Sequence, residues 1–369
     1  MVKKRNNKIY LIVGLIVVLI LGKFILSTAS FIPFFFQLLF NKNIELKHTD
    51  NEINILLLGI GGENHEGPKL TDTVIFSSLN TKTNKITILS IPRDLYSPEL
   101  KGKINGAYSE GEEKRKGGGL ILSEAVVEKI LNKNVDYGIV INFDGFVKAV
   151  DLLGGIDVEV KNTFDDYAYP ITGKENELCG LQEEAIATLS AQIATGSATE
   201  ADFFPCRFKH IHFNNGVQHM SGDTTLEFVR SRHALGPEGS DFARSARQEK
   251  VINAFKDKIF SLQVLTNPGK VINLYSILKG SIDTDIKDTE FDDFIRLLAK
   301  MKDAKIQSVV LDIGDSANLR EGLLINPNPE EFGGAWVLIP RKGKDNFSEI
   351  QEYLNCVITQ GKCTVSKFP

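Results

Sequence analysis

LTDTVIFSSLNTKTNKITILSIPRDLY, residues 70–96, holds two apolar runs joined by a short polar connection. Val74 to Leu79 and Ile86 to Ile91 are largely apolar and partly β-branched, while Asn80 to Lys85 is polar and rich in Asn and Thr. The pattern predicts a β-hairpin. With Leu79 facing Ile86, the register extends to Asp72 facing Arg93, with Asp94 alongside. Pro92 cannot donate to a ladder and stops the second strand there. The run before it, Ile53 to Leu58, predicts another strand that ends in Gly59-Ile60-Gly61-Gly62. Glycines, two acids and an arginine therefore converge on one rim of a sheet. On these residues alone the bland reading is a surface salt bridge beside a turn.

The chain has 369 residues, 42% hydrophobic and 24% charged, enough for two domains or one large domain with additions. A net charge of −4 argues against a nucleic-acid partner. Lys3, Lys4, Arg5 and Lys8 precede the almost wholly apolar Ile9 to Leu26. That length approaches the roughly 20 residues of a transmembrane helix. The basic flank would stay in the cytoplasm and place the bulk of the chain outside. A rival reading takes Ser27-Thr28-Ala29 as a cleavage site. The apolar character continues through Phe31 to Phe40, which favours a retained single-pass anchor. Cys179 and Cys206 bracket one segment, and Cys356 and Cys363 a shorter one, with no metal-type spacing. Two local disulfides in an oxidising compartment fit this pattern, against four unpaired buried thiols.

The remaining organisation follows from periodicity. Residues 1–8 read as a basic cytoplasmic tail, 9–40 as anchor and apolar juxtamembrane segment, 41–51 as linker. Residues 52–303 form the main domain, with 164–213 inserted, and 304–369 an α/β extension. Glu110 to Gly119, charged and glycine-rich, predicts a mobile loop. Helices are expected at Leu120–Leu131, Phe143–Leu153, Ser221–Val229, Asp241–Leu262, Thr289–Met301 and Phe347–Leu354. Strands are expected at Tyr137–Asn142, Ile156–Val160, Ser308–Leu311 and Trp336–Ile339. Alternating strands and helices indicate an α/β layer structure. The segment between Cys179 and Cys206 should have helical character.

FVRSRH (228–233) followed by DFARSARQ (241–248) forms a second cluster. In an extended segment Arg230 and Arg232 would point the same way. On the following helix Arg244 and Gln248 share a face, with Arg247 close to it. Arg244 falls in a first helical turn, where the dipole disfavours cations by roughly 0.3–1 kcal/mol. Arginines at that pole suit a bound anion, phosphate above all. The alternative is pairing with local acids such as Asp241 and Glu249. Arg93 adds a fifth arginine, and Asp72 is a hard oxygen donor of the kind Mg2+ takes. Arginines, a carboxylate and a metal suit phosphoryl transfer. The Gly59–Glu63 segment lacks the Lys-Ser/Thr of a P-loop, and HExxH and GxSxG do not occur.

NILLLGIGG, LTDTVIFSSLN, SIPRDLY, KINGAY, VDLLGGIDVEV, LEFVRSRH and DFARSARQ, in that order, resemble the LytR-CpsA-Psr family of bacterial envelope enzymes. The resemblance implies a layered α/β sandwich, its central mixed β-sheet flanked by helices, outside the cell membrane behind one N-terminal transmembrane helix. It implies transfer of a glycopolymer from a polyprenyl-pyrophosphate carrier to peptidoglycan through a phosphodiester link, with the lipid in a hydrophobic pocket. Arg93, Arg230, Arg232, Arg244 and Gln248 would line the pyrophosphate site. Asp72 and Arg93 would be catalytic, and Asp72 would bind Mg2+ or assist the incoming hydroxyl. Asp94, Lys103, Asn105 and Glu63 would support them. Where the family often has LLLGxD this chain has Gly61, so either a metal ligand is missing here or Glu63 or His65 replaces it. Rival functions are a polyprenyl-pyrophosphate hydrolase and a non-catalytic surface protein that binds lipid-linked glycans.

Overall fold

The computed structural model describes residues 43–62, 67–182, 198–259, 268–301, 303–315, 320–361 and 363–365, with positions 186, 189, 192, 193 and 261 between them. Residues 1–40, Glu63, His65 and Leu262 lie outside the described residues. Among the described residues no helix is long and apolar enough to cross a membrane. The chain divides into two compact units, one of Lys47–Asp285 with Ala304–Pro369, the other of residues up to Leu46 with Ile286–Asp303.

In the larger unit, β1 (Glu52–Ile60) pairs antiparallel with β2 (Thr71–Asn80), and β2 with β3 (Lys85–Ile91). Leu79 faces Ile86 and Val74 faces Ile91, the predicted register. The turn is built by Asn80, whose Oδ1 accepts from the N–H groups of Lys82 (3.1 Å) and Thr83 (2.9 Å). Asn84 takes φ +51°, a left-handed conformation that Asn tolerates.

Next come α1 (Ala107–Lys114) and α2 (Gly118–Leu131). The expected mobile loop at 110–119 is therefore mostly helix. Its glycines serve contact rather than freedom: a Cβ on Gly111 would lie 2.3 Å from the Gly118 carbonyl oxygen, and one on Gly119 2.6 Å from that of Tyr108. Only glycine lets the two helices approach this closely.

β4 (Tyr137–Asn142) runs into α3 (Phe143–Leu152), capped by Asn142, whose Oδ1 accepts from the Gly145 N–H at 2.7 Å. β5 (Ile156–Val160) follows. The insertion begins and ends as strands, β6 (Phe164–Pro170) and β7 (Phe208–Phe213), paired antiparallel. The Cys179–Cys206 disulfide closes this arm. The helical character expected there is present as a short helix, Glu200–Phe203. β8 (Gly216–Met220) pairs with β5 and leads to α4 (Gly222–Arg230), capped by Ser221. α5 (Asp241–Ile259) and α6 (Pro268–Ser281) complete this stretch, the latter not read from the sequence.

β9 (Ile282–Thr284) returns to the sheet. In the smaller unit, α7 (Phe291–Lys300) carries Asp292 and Asp293, both held 2.7 Å from Arg296 Nη2. Arg296 Nε also donates to the Asn43 carbonyl at 3.1 Å. Back in the larger unit, β10 (Lys305–Val310) joins the sheet beside β3, in parallel. The sheet order is β9-β4-β1-β2-β3-β10, with β1/β4 and β3/β10 parallel and the other pairs antiparallel. It is a mixed sheet. Of the expected strand 336–339, Ile339 pairs within Ile339–Pro340 and Leu338 makes a parallel bridge to Leu95. The final helix, α8 (Ser348–Gln360), carries Cys356, which bonds Cys363.

Alternation puts Leu56, Leu58, Val74, Phe76, Leu89 and Ile91 in one core cluster with Val126, Val127 and Ile130 of α2 and Ile350, Leu354 and Ile358 of α8. A second core joins β5, β6 and β7 to α4 through Val158, Phe164, Phe213 and Phe228. Phe213 and Phe228 pack with ring centroids 5.0 Å apart.

One half-buried acid breaks the apolar pattern. Glu124 of α2 has an Oε1 without a hydrogen-bond partner. Burial first, then the Asp285 charge, pushes its carboxyl up to about 7, with Lys47 opposing. The folded state thus holds this proton more tightly than the unfolded chain. The stability this supplies is complete below the unfolded value near 4.5 and is lost as pH rises through about 7. Glu124→Gln is expected to flatten the decline of melting temperature between about pH 4.5 and pH 7. Parallel curves for parent and variant would contradict it.

Candidate active site

The hairpin register delivers the Asp72–Arg93 ion pair, both side chains 33% exposed. Arg93 Nε lies 3.6 Å from Asp94 Oδ2, beyond hydrogen-bond range. Asp94 Oδ1 accepts from Lys103 Nζ at 2.6 Å. The Arg93 carbonyl accepts from the Asn105 N–H at 3.2 Å, and the Asn105 carbonyl from Thr71 Oγ1 at 3.3 Å. On the other side the Leu338 N–H donates to the Asp94 carbonyl at 2.9 Å. Asp94, Lys103 and Asn105 thus brace the segment that carries Arg93.

A cavity of about 220 Å3 brings together Asp72, Arg93, Arg230, Arg232, Arg244 and Gln248, with Phe143, Pro170 and Val229 on its apolar side. A smaller hollow of about 20 Å3 shares Asp72, Arg93, Arg244 and Gln248 and adds Pro92, Val310 and Leu311. Arg93, Arg230, Arg232, Arg244 and Gln248, all predicted for the anion site, line this one space, and Arg247 does not. Glu63 lies outside the described residues.

Two details differ from the sequence reading. Arg230 is not in an extended segment but is the last residue of α4, where the helix dipole favours a cation. Its guanidinium sits 4.5 Å above the Phe143 ring. Burial pushes the neighbouring Tyr169 hydroxyl up to about 12, although Arg230 pulls it the other way. Arg247, grouped with the anion trap from its helical position, is buried at 3% exposure. Its Nε donates to the Phe228 carbonyl (2.9 Å), Nη2 to that of Ser231 (2.7 Å), and Nη1 to the carbonyl (2.8 Å) and Oε2 (3.0 Å) of Glu238. Burial lowers its pKa despite Glu238. Arg247 thus satisfies carbonyls at the end of α4 that the helix leaves open, and fixes the turn carrying Arg230 and Arg232.

Asp166 holds the same turn and was missed. Fully buried at 0% exposure, its Oδ2 accepts from Ser231 Oγ (2.7 Å) and from the N–H groups of Arg232 (3.2 Å) and His233 (3.1 Å). Its Oδ1 accepts from the Ala168 N–H at 2.9 Å. An acid in a polar run, FDDYAY, gives no periodic or motif signal that it will be buried.

Four arginines face one carboxylate in this cavity, a positive excess that suits a multiply charged anion. For a metal, Asp72 is the described donor at the arginines. Its Oδ1 meets Arg93, while its second oxygen has no protein hydrogen bond among the described residues. One carboxylate oxygen fits Mg2+, which keeps waters and takes most of its remaining ligands from phosphate.

Asp166→Asn removes the charge that three donors share. It is expected to lower stability by about 1.5–3 kcal/mol, the range for a hydrogen bond to a charged group. Urea denaturation at unchanged m-value measures this, and stability equal to the parent would show that the turn does not depend on Asp166.

The profile of the LytR_cpsA_psr family matches residues 37–324. The Bacillus cereus polyisoprenyl-teichoic acid–peptidoglycan teichoic acid transferase TagU is 32% identical over 255 residues, covering 67% of this chain and 66% of that protein. The Bacillus subtilis counterpart TagV is 26% identical over 257 residues, covering 68% and 53%. The crystal structure of TagV superposes with a TM-score of 0.52 at 22% identity, over 84% of this chain and 97% of the other. Protein gbs0355 from Streptococcus agalactiae gives 0.53 at 23%, over 86% and 91%. The mixed sheet and flanking helices are therefore the fold of these solved proteins, and the chain belongs to the LytR-CpsA-Psr family.

Proposed function

We propose that this protein moves a glycopolymer from a polyprenyl-pyrophosphate carrier onto peptidoglycan, leaving a phosphodiester link. The observation that carries this reading is the cavity in which Arg93, Arg230, Arg232, Arg244 and Gln248 surround Asp72. The names of its relatives, which act on polyisoprenyl-linked teichoic acid and peptidoglycan, agree with it.

In this reading the arginines grip the pyrophosphate through charge-assisted hydrogen bonds. The acceptor hydroxyl oxygen bonds to the phosphorus that carries the glycan. The bond from that phosphorus to the bridging oxygen breaks, and polyprenyl phosphate leaves. Asp72 orients the hydroxyl and takes its proton, while Arg93 stabilises charge gathering on the phosphoryl oxygens. Mg2+, when bound, supplies further charge neutralisation, with Asp72 as its protein ligand. Phe143, Val229 and Pro170 offer the start of the lipid the apolar side of the cavity. The basic flank and apolar run at the amino terminus support a membrane-held protein with its bulk outside. The two disulfides agree with an oxidising compartment.

Asp72 separates catalysis from binding, because a bare carboxylate repels pyrophosphate and has no place in a simple receptor. Asp72→Asn should retain carrier binding and lose turnover by at least about a hundredfold. Transfer and carrier hydrolysis at the parent rate would remove the enzyme reading. Arg244→Ala should weaken carrier binding by about 1.5–3 kcal/mol with little change in melting temperature, since a cation leaves the positive end of α5. A large fall in melting temperature with unchanged affinity would instead mark a structural arginine.

A further inference from the structure

The arm formed by β6 and β7 carries a second chemical cluster, away from the arginine cavity. Asp165 on β6 stands directly opposite His212 on β7, and His210 lies two residues along. Along β7, Ile211 and Phe213 are buried while His210 and His212 are exposed. Strand alternation therefore brings both imidazoles and the carboxylate to the outer face of the ribbon. Asp165 Oδ1 is 2.7 Å from His210 Nε2 and 2.8 Å from His212 Nδ1. The three donor atoms lie within 4.8 Å of one another.

We propose that Asp165, His210 and His212 bind one divalent transition-metal ion of the Zn2+ type. The donor set is borderline-soft, two nitrogens and one oxygen, which suits Zn2+ and not Mg2+ or Ca2+. Tetrahedral Zn2+ takes such atoms at about 2.0–2.2 Å and holds them roughly 3.4 Å from one another, so Asp165 Oδ1 would draw back from each imidazole by about half an ångström, a small side-chain rotation on an exposed face. Three protein ligands leave a fourth position for water.

The surroundings of the histidines point the same way. His212 meets an acceptor on each side, Asp165 at Nδ1 and Asn214 Oδ1 at Nε2, 3.1 Å away. A neutral imidazole carries one proton. With that proton on Nε2 and donated to Asn214 Oδ1, Nδ1 turns a lone pair toward a carboxylate oxygen, an arrangement that a cation between them makes favourable. A carbonyl oxygen on the far nitrogen is the usual way a zinc-binding histidine is oriented. The Tyr167 ring stacks on His210 with centroids 4.2 Å apart and planes 6° apart, holding that imidazole in its plane. The competing occupant is a proton, which would make the cluster a pair of salt bridges.

An ion here would clip β6 to β7 at the base of an arm whose far part is closed by Cys179–Cys206. Asp165 adjoins Asp166, and its carbonyl accepts from the Leu235 N–H at 2.9 Å, so both flanks of the Arg232 turn are tied to this strand. The clip stands independently of the transferase reading, since none of its three residues lines the arginine cavity.

The experiment uses the full chain without a polyhistidine tag, in detergent, with excess Mg2+ to occupy hard-oxygen sites. Zn2+ bound after gel filtration should approach one per chain. Co2+ should give visible absorption of a nitrogen–oxygen site. His212→Ala and Asp165→Asn should each weaken Zn2+ binding at least about tenfold, and the His210→Ala/His212→Ala pair should abolish it. On the parent chain, Zn2+ should protect His210 and His212 from diethylpyrocarbonate while His48, His219 and His233 still react. That measurement needs no variant to fold. Absence of bound Zn2+, unchanged affinity in the double variant, or equal modification of His210 and His212 with and without Zn2+ would each overturn the site in favour of the protonated pair.

Discussion

Asp72 can face Arg93 only while β2 and β3 keep their register. Slipping that pairing by one residue would turn Phe76 and Leu89 away from the core they share with α2 and α8. Each buried apolar side chain of this size contributes about 1.5–3 kcal/mol, whereas a partly exposed ion pair contributes about 1 kcal/mol or less. The core therefore sets the register and the ion pair follows. Asp72 and Arg93 are free to be chosen for chemistry because neither has to hold the strands together.

The second half of the site is assembled by different means. Arg230 and Arg232 sit on a turn with no strand partner to align them. Their position is set by a buried cation and a buried anion that do not line the cavity. Arg247 takes the carbonyl oxygens of Phe228, Ser231 and Glu238, and Asp166 takes the N–H groups of Arg232 and His233. Buried backbone groups must find partners, so these two side chains define the turn closely. Arg230 and Arg232, two like charges facing one cavity, are thereby kept in place.

Hairpin, sheet strands and most helices were legible because their apolar periods are regular and their caps, such as Asn142 and Ser221, are ordinary. The site arginines were legible as a cluster and through motif order. Three things were not. Gly111, Gly118 and Gly119 read as loop because a glycine kept for helix contact has the same letter as one kept for freedom. Arg247 read as part of the anion site because one turn of helix cannot say which of two arginines points inward. Asp166 had no signal, since three of its four donors lie more than sixty residues away in sequence. Local pattern carries elements and faces, and the partners of buried polar groups are settled by tertiary contact.

The parallel pairing of β10 with β3 bears on how the chain can mature. β3 leaves the ribosome with one edge bare, and the strand that covers it begins at Lys305, after more than two hundred intervening residues. Leu311, just beyond, also closes the smaller hollow beneath Arg244. An open strand edge is a template for association with other chains until it is capped, and pairings this distant in sequence form slowly. A protein synthesised vectorially thus passes through a long interval in which the hairpin that carries Asp72 and Arg93 exists without its last neighbour. That edge needs shelter until Lys305 and the residues after it, close to the end of the 369-residue chain, have been made.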